Sequence, residues 1–255
     1  MKERLKRFGR WSARWLARLA TALVHLWCIG AIAYLGSGTH WLRTALAIAF
    51  GVAVPVLWFR WPAWRKHVAL GFGGAFLLLV VVCLLRQPSL SRDWSPDMVR
   101  MPRVTVEGQT VRIENIRDCD YRTDLEYDVH WREATFDLRE LERIDFLVER
   151  FHAWEALAHT LLSFGFRDGR QLVVSVELRK EEGEKFGPVA GIYQQYELMY
   201  VVGTERDLIG LRTNIRRSPA WLYPIRATPE RLRAMFLAMV TRADGLGREP
   251  EFYNT

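Results

Sequence analysis

The chain has 255 residues, half of them hydrophobic, and a formal net charge of +7. The charge is uneven: residues 1–86 hold 12 of the 36 Lys and Arg and one acid, Glu3, whereas residues 87–255 hold 24 basic and 28 acidic residues. Because the basic excess flanks apolar segments, it gives no support to nucleic-acid binding. Three cysteines in the whole chain also disfavour a disulfide framework.

Three apolar segments occupy the first third of the chain, at roughly 17–36, 41–59 and 67–85. Each approaches the ~20 residues that a helix needs to cross a bilayer, so residues 1–86 are predicted to form a membrane anchor of three helices. Tryptophans cluster at the segment ends, as interfacial aromatics do: Trp11, Trp15, Trp41, Trp58, Trp61 and Trp64. These features disfavour the alternative of three buried helices in a soluble protein.

Lysine and arginine near the segment ends predict the orientation. Six of them precede the first segment, none lies in the following loop GSGTH, and Arg60, Arg65 and Lys66 lie in the next loop. The N-terminus is therefore expected in the cytoplasm of a bacterium. Residues after Arg86 are expected on the periplasmic side of the inner membrane.

A polar, proline-bearing segment, 87–96, is predicted to be a linker before one domain over residues 97–255. Alternation predicts a hairpin of strands at 103–107 and 110–116, and further strands at 196–203 and 208–212. Residues 117–135 are predicted to be a long loop with a short strand. Helices are predicted at 136–156 and 229–243, the latter with Thr228 as N-cap and Pro229 at its first position. These elements indicate an α+β domain with an antiparallel sheet.

The stretch ALAHTLLSFGFRDGRQLVVSVELR, residues 156–179, leaves His159 open to two interpretations. A helix over 150–163 would point His159 into solvent. A strand that follows a helix ending near Ala158 would instead place His159 on a hairpin whose turn is Arg167 to Gly169.

The hairpin interpretation makes a specific prediction about side-chain contact. A three-residue loop with Gly169 in the left-handed conformation pairs residues whose numbers sum to 336. His159 then lies opposite Glu177, with side chains close enough to touch. A two-residue loop would put the two on opposite faces. A contact of this kind is either a cross-strand ion pair or a base oriented by a carboxylate.

Other chemistries find little support. Cys119 lies between Asp118 and Asp120, whose charges disfavour a thiolate. No G-x-S-x-G motif occurs, which gives no support to a serine nucleophile. No cluster with zinc-ligand spacing occurs either, and neither a metal nor a cofactor is expected.

The segments AHTLLSFGF, LVVSVELRKEEGE, YQQYELMYVVGTERDLIGLRT and FYNT, in this order, resemble the Lnb-type N-terminal periplasmic domain over roughly residues 93–255. The resemblance implies a permuted relative of papain-like and NlpC/P60 thiol enzymes. Some members of the Lnb-type family are lipoprotein N-acyltransferases, which move a fatty acyl chain onto the α-amine of a diacylglyceryl-cysteine.

The same resemblance assigns roles to residues of this chain. It implies that His159 and Glu177 are catalytic and that a cysteine beyond Thr255 supplies the nucleophile. The other candidates are expected to line a pocket: Ser163, Ser175, Arg179, Tyr196, Glu197, Glu205, Arg206 and Asp207. The expected partners are membrane lipids and a lipoprotein or envelope peptide. The alternatives are a periplasmic thiol hydrolase or peptidase, and a non-catalytic module that binds lipid or peptide.

Overall fold

The computed structural model describes residues 2–36, 39–151, 154–184 and 187–253. The chain divides into two compact units, Met1–Gln87 and Pro88–Thr255, and each is described by itself.

The first unit consists of three long helices joined by short connections. They are α1 (Lys2–Leu35), α2 (His40–Arg60) and α3 (Arg65–Leu85), with a 3-10 turn at Pro62–Trp64. Within them Gly9–Leu35, His40–Arg60 and Pro62–Leu85 are long and apolar enough to cross a membrane, with mean hydropathies of 1.7, 1.8 and 2.8. Three such helices confirm the predicted number of spans.

These helices pack through apolar and aromatic side chains. The ring of His25 in α1 lies 5.5 Å from that of Phe50 in α2 and 5.8 Å from that of Phe72 in α3. Most of the other large apolar side chains face outward, as those of a lipid-facing bundle do; Leu77, for example, is 64% exposed.

The second unit is an eight-stranded sheet with short helices, which confirms the α+β class. The strands are β1 (Arg103–Glu107), β2 (Thr110–Tyr121), β3 (Tyr127–Asp137), β4 (Leu141–Phe151), β5 (Trp154–Phe166), β6 (Gln171–Arg179), β7 (Glu197–Gly203) and β8 (Ala220–Pro224). The helices are α4 (Pro188–Ile192), α5 (Glu205–Gly210), a π-helix (Leu211–Ile215) and α6 (Pro229–Leu246), with 3-10 turns at Pro96–Met98 and Leu138–Glu140.

The sheet runs in the order β1-β2-β7-β6-β5-β4-β8, and β3 pairs with β2. Its strand pairs are antiparallel except for β2 and β7, which are parallel where Arg117 meets Gly203. The sheet is therefore mixed, although the predicted antiparallel pairing dominates.

Each face of the sheet carries its own apolar cluster. On one face α6 packs through Leu232 and Phe236 against a core that includes Ile144, Phe164 and Val174. On the opposite face Leu208 of α5 packs against a second cluster: Met98, Leu147, Leu161, Val173, Met199 and Val201. Buried polar and charged side chains also lie on this second face, so a functional site is expected there.

The predicted hairpin of β1 and β2 is confirmed, with Gly108 at φ 60° in its turn. The strand at 196–203 and the helix at 229–243 are also confirmed, as β7 and α6. Thr228 occupies the N-cap position of α6 and Pro229 lies in its first turn, although the Thr228 side chain accepts no capping hydrogen bond from a backbone amide.

The long loop predicted over 117–135 is wrong, because β2 continues to Tyr121 and β3 begins at Tyr127. Arg117 and Asp118 are only 4% and 1% exposed, and both are ion-paired inside the unit. The charges of Arg117 and Asp118 are therefore buried and paired, and do not mark a solvated loop.

The helix predicted over 136–156 is also wrong, since β4 occupies most of this range. Both faces of β4 are covered: Ile144 is buried on one face, and Leu147 and Glu149 on the other. A strand buried on both faces lacks the period-2 pattern of a half-exposed strand. The spacing of its apolar residues then imitates a helix.

The strand predicted at 208–212 is wrong as well, because α5 and the π-helix occupy these positions. Thr204 caps α5, and its hydroxyl accepts a hydrogen bond from the Asp207 amide at 3.2 Å. The spacing of Thr204 and Asp207 is that of a helix-capping signal, which outweighs the short apolar run.

Residues of the segment predicted as a linker, 87–96, are packed on the sheet unit. Trp94 is 5% exposed and forms a β-bridge with Glu181, and the Ser95 amide donates to the Lys180 carbonyl at 3.1 Å. This segment leads into Met98, which belongs to the second core cluster.

Candidate active site

The candidate site is built on the hairpin of β5 and β6. The Gly169 amide donates to the Phe166 carbonyl at 3.0 Å, and Gly169 has φ 84°, as a three-residue loop requires. Five residue pairs follow the predicted register, from Gly165 with Gln171 to Leu161 with Ser175. The alternative helix over 150–163, and a helix ending near Ala158, are both wrong, because β5 extends from Trp154 to Phe166.

His159 and Glu177 lie two residues beyond the last of these pairs along each strand, on the face that carries the second cluster. Their side chains meet: Nε2 of His159 is 3.2 Å from Oε1 of Glu177. The two side chains are 17% and 20% exposed, so the contact is half-buried and still reaches solvent. The predicted contact between these residues is therefore present.

Ser175 lies between the two and defines how they are joined. Its Oγ donates to Oε1 of Glu177 at 2.6 Å and lies 2.8 Å from Nε2 of His159. A hydroxyl has one proton to donate. Since that proton is directed at Glu177, Nε2 of His159 is the donor in its contact with Ser175.

The tautomer of His159 follows from this chain of hydrogen bonds. With the proton on Nε2, the second ring nitrogen, Nδ1, carries the lone pair. Among the residues that the structure describes, none forms a hydrogen bond with Nδ1. The imidazole is thus held through one nitrogen and offers the other as a base.

Arg212, which sequence reasoning missed, anchors Glu177 from the other side. Its Nη2 donates to Oε1 of Glu177 at 2.7 Å, its Nε lies 2.8 Å from Oε2 of Glu149, and its Nη1 donates to the Leu208 carbonyl at 2.7 Å. Arg212 is 4% exposed and Glu149 2% exposed. The cluster therefore joins β4, β5, β6 and the π-helix.

Opposing influences set the ionisation of Glu177. Burial raises the pKa of this carboxyl, but the hydrogen bond and charge of His159 and the charge of Arg212 outweigh it. The pKa of Glu177 consequently lies well below its ordinary value, and its carboxylate is ionised at neutral pH.

Two predicted pocket residues form a separate contact further along the same face. Oγ of Ser163 donates to Oε1 of Glu205 at 2.6 Å. Ser163 is four residues from His159 on β5, which is ~13 Å in an extended strand. A shallow depression nearby, lined by Arg143 and Gln171 among others, contains none of the residues around His159.

Arg206 and Asp207 of α5 take part in an ionic junction with β2, in which Asp207 is buried and Arg206 is exposed. Asp207 is fully buried and holds Arg117 through two bonds of 2.9 Å, while Arg206 pairs with Asp118 at 2.8 Å. Asp97 completes the junction, with Oδ2 3.0 Å from Nη1 of Arg117. These contacts fix α5 and residues 95–98 to β2 and leave the two residues no part in the His159 cluster.

Arg179, Tyr196 and Glu197 form another structural group, around residues 89–99. Nε of Arg179 donates to the Met98 carbonyl at 2.9 Å, and its guanidinium stacks on Trp94, 4.2 Å from the ring centroid. Burial lowers the pKa of Arg179 to about 10. The Tyr196 hydroxyl accepts from the Gly187 amide at 2.9 Å, and Glu197 accepts from the Ser89 amide at 2.6 Å.

The last described residues, 251–253, lie along the start of β7. The Leu198 amide donates to the Glu251 carbonyl at 2.8 Å, and the Tyr253 amide to the Tyr196 carbonyl at 3.0 Å. Asn254 and Thr255, the end of the FYNT motif, lie outside the described residues.

Cys119 is a poor nucleophile in this structure. It is 1% exposed, and burial raises the pKa of its thiol to about 12. Within the described parts of the chain, no group of three or more His, Cys, Asp or Glu side chains is arranged to hold a metal ion.

Residues 127–255, about half of the chain, match the family model described as the Lnb N-terminal periplasmic domain. No curated protein and no solved structure matches the chain. Together with three helices able to cross a membrane, the family match indicates a periplasmic domain with a membrane anchor.

Proposed function

Because the chain belongs to the Lnb N-terminal periplasmic domain family, we propose that its sheet unit is the catalytic part of an inner-membrane acyltransferase that acts on lipoproteins. The observation that carries this proposal is the arrangement of His159. Ser175 and Glu177 hold its Nε2, and Nδ1 is left as a base. An oriented imidazole of this kind is what a thiol or amine nucleophile needs for proton transfer.

The first half of the proposed reaction transfers an acyl group to a thiol. The family resemblance implies that this thiol belongs to a cysteine that follows residue 255. Nδ1 of His159 takes the thiol proton, and the sulfur attacks the ester carbonyl of a phospholipid to form a C–S bond. The C–O bond to glycerol breaks, and the proton on Nδ1 passes to the departing alkoxide, which leaves as a lysophospholipid.

The second half moves the acyl group to the lipoprotein. The α-amine of its diacylglyceryl-cysteine attacks the thioester carbonyl, and an amide bond forms as the C–S bond breaks. Nδ1 accepts a proton from the amine and returns it to the sulfur. The site is then restored without a cofactor.

Glu177 and Arg212 support both halves electrostatically. When Nδ1 is protonated the imidazole becomes a cation, and the adjacent carboxylate of Glu177 stabilises it. Arg212 keeps that carboxylate ionised and fixed in position, and Glu149 contacts the same guanidinium from β4. The Ser175 hydroxyl is hydrogen-bonded both to the imidazole ring of His159 and to the carboxylate of Glu177.

The path of the chain is compatible with a nucleophile that follows residue 255. Residues 251–253 pair with β7, and β7 lies two strands from β5. Strand spacing and rise put Tyr253 ~15–20 Å from His159. About six extended residues cover such a distance.

The test is N-terminal acylation in a bacterial host depleted of its own lipoprotein N-acyltransferase. The full-length gene product should restore N-acylated lipoprotein peptides, detected by mass spectrometry. His159→Ala should reduce the rate by about 100-fold or more, the loss expected for a general base. His130→Ala is the matched control, because His130 is 57% exposed and its Nε2 pairs with the surface residue Asp120.

Two outcomes contradict the proposal. Acylation that survives His159→Ala at the wild-type rate removes His159 from the chemistry. Release of free fatty acid without amide formation, dependent on His159, identifies a hydrolase that uses water as the acceptor.

A further inference from the structure

Strand β8 exposes three consecutive large apolar side chains. Trp221, Leu222 and Tyr223 are 41%, 54% and 53% exposed. β8 pairs with β4 and ends the order of the sheet. Among the described residues, no strand pairs with its outer side.

The strand is poorly suited to accept another strand. Pro219 precedes it and Pro224 ends it, and both are exposed. Proline has no amide proton to donate, and it is one of the devices that protect sheet edges from further pairing. The occupant of this apolar edge is therefore not expected to be a β-strand of a second molecule.

Exposed arginines flank the same strand. Arg216 and Arg217 precede it and Arg226 follows it, and residues 216–226 contain no acid. Within the described residues none of the three forms a salt bridge, whereas other exposed arginines of this unit do, including Arg122 with Glu126. The edge thus combines an apolar ridge with uncompensated positive charge.

We propose that β8 and its three flanking arginines form a contact surface for anionic phospholipid headgroups. Tryptophan and tyrosine have an apolar body and a polar end, which suits the boundary between headgroups and acyl chains. Guanidinium groups bind phosphate through paired hydrogen bonds. A soluble acidic protein would complement the arginines, but it would leave the exposed ridge without an apolar partner.

The position of this surface is relevant to the site, although the lipid contact does not depend on the proposed chemistry. Ala220 of β8 is paired with Glu149 of β4, and Glu149 with His159 of β5. Two strand spacings, ~10 Å, therefore separate the lipid-contacting strand from the imidazole. A headgroup bound at β8 would lie near the base that acts on an ester.

Hydrogen–deuterium exchange of the full-length protein tests the surface. The protein is placed at one copy per nanodisc, in discs of phosphatidylcholine alone or of phosphatidylcholine mixed with phosphatidylglycerol. Residues 216–226 should exchange at least about fivefold more slowly in the anionic discs. A single arginine near an anionic membrane surface strengthens binding to that surface by about this factor. Exchange in β2 and β3 should be the same in both, which also verifies the fold.

Two variants separate a charge-dependent contact from a general effect. Arg216→Gln combined with Arg217→Gln and Arg226→Gln should abolish the difference between the two discs. Arg103→Gln with Val106→Ser, at the exposed edge strand β1, is the matched control and should keep it.

Three results would overturn the proposal. Equal exchange of 216–226 in both discs shows that anionic headgroups are not bound, and retention of the difference in the triple variant shows that the arginines do not bind them. Protection that appears in detergent and grows with protein concentration identifies a second copy of the chain as the occupant.

Discussion

Glu177 lies between an imidazole and a guanidinium, and its oxygen Oε1 contacts His159, Ser175 and Arg212. Because these contacts favour an ionised carboxylate, the stability of the folded sheet unit depends on the charge of Glu177. Because burial opposes ionisation and the contacts with His159 and Arg212 favour it more strongly, the pKa of Glu177 is depressed.

Glu177→Gln is expected to destabilise the sheet unit in a way that depends on pH. Arg212 loses one of its two carboxylates while it stays buried, which costs about 3 kcal/mol at pH 7. A depressed folded-state pKa means that this contribution is complete above the unfolded-state pKa of ~4.3 and is lost as the pH falls toward the folded-state value. The Tm difference between wild type and variant should therefore be smaller at pH 3 than at pH 5.5.

The measurement is the Tm of the full-length protein in detergent, followed by intrinsic fluorescence. Glu126→Gln is the control, since the Arg122–Glu126 pair is 52% and 63% exposed and an exposed pair contributes little. A Tm difference for Glu177→Gln that disappears already between pH 7 and pH 5.5 contradicts a depressed pKa.

The sequence predicted His159, Glu177 and Ser175 as site residues, but not Arg212 and Glu149. The two catalytic candidates are joined by one local turn, so a register count was enough to place them together. Arg212 and Glu149 come from elements whose types were predicted wrongly. Their approach to Glu177 depends on tertiary packing, and no short-range pattern reports it.

At the scale of elements, the hairpin of β5 and β6 determines which residues meet on the site face. Its register rests on the turn at Gly169, whose φ of 84° is in the left-handed region. A Cβ at this position would meet no other atom within 4 Å, so a substitution there acts through the backbone alone.

Gly169→Ala should lower stability by about 1–2 kcal/mol, because an L-residue resists the left-handed conformation. Gly245→Ala is a matched control of opposite sign. Gly245 lies inside α6 and also has open space around it, and alanine favours a helix. Tm values of the two full-length variants provide the comparison, and a Gly169→Ala protein as stable as Gly245→Ala would show that the turn does not constrain the hairpin.

Elements with local signals were predictable, and elements defined by burial were not. Gly108 and Gly169 mark their turns, and Thr228 with Pro229 marks the start of α6. By contrast, β4 is covered on both faces, so its sequence lacks the alternation that identifies a strand. Arg212 of the π-helix pairs with Glu149 and Glu177, which lie far from it along the chain, so the local sequence does not report these contacts.

At the scale of the whole molecule, composition divides the chain more clearly than any motif does. The basic excess and the long apolar segments both end near residue 87, where the first compact unit also ends. Length and hydropathy were sufficient to predict three spans. Orientation depends on charge asymmetry across a bilayer and therefore calls for an experiment in cells.

The distribution of Lys and Arg predicts that the N-terminus and the loop near residue 63 are cytoplasmic, and that residue 38 and everything after residue 86 are periplasmic. Alkaline phosphatase, which is active only after export, should be active when fused after residue 38 or residue 100 and inactive after residue 63. A green fluorescent protein that folds only in the cytoplasm should give the reverse pattern at the same positions. Phosphatase activity after residue 63 but not after residue 100 would invert the topology, and it would place His159 on the side of the membrane where exported lipoproteins are absent.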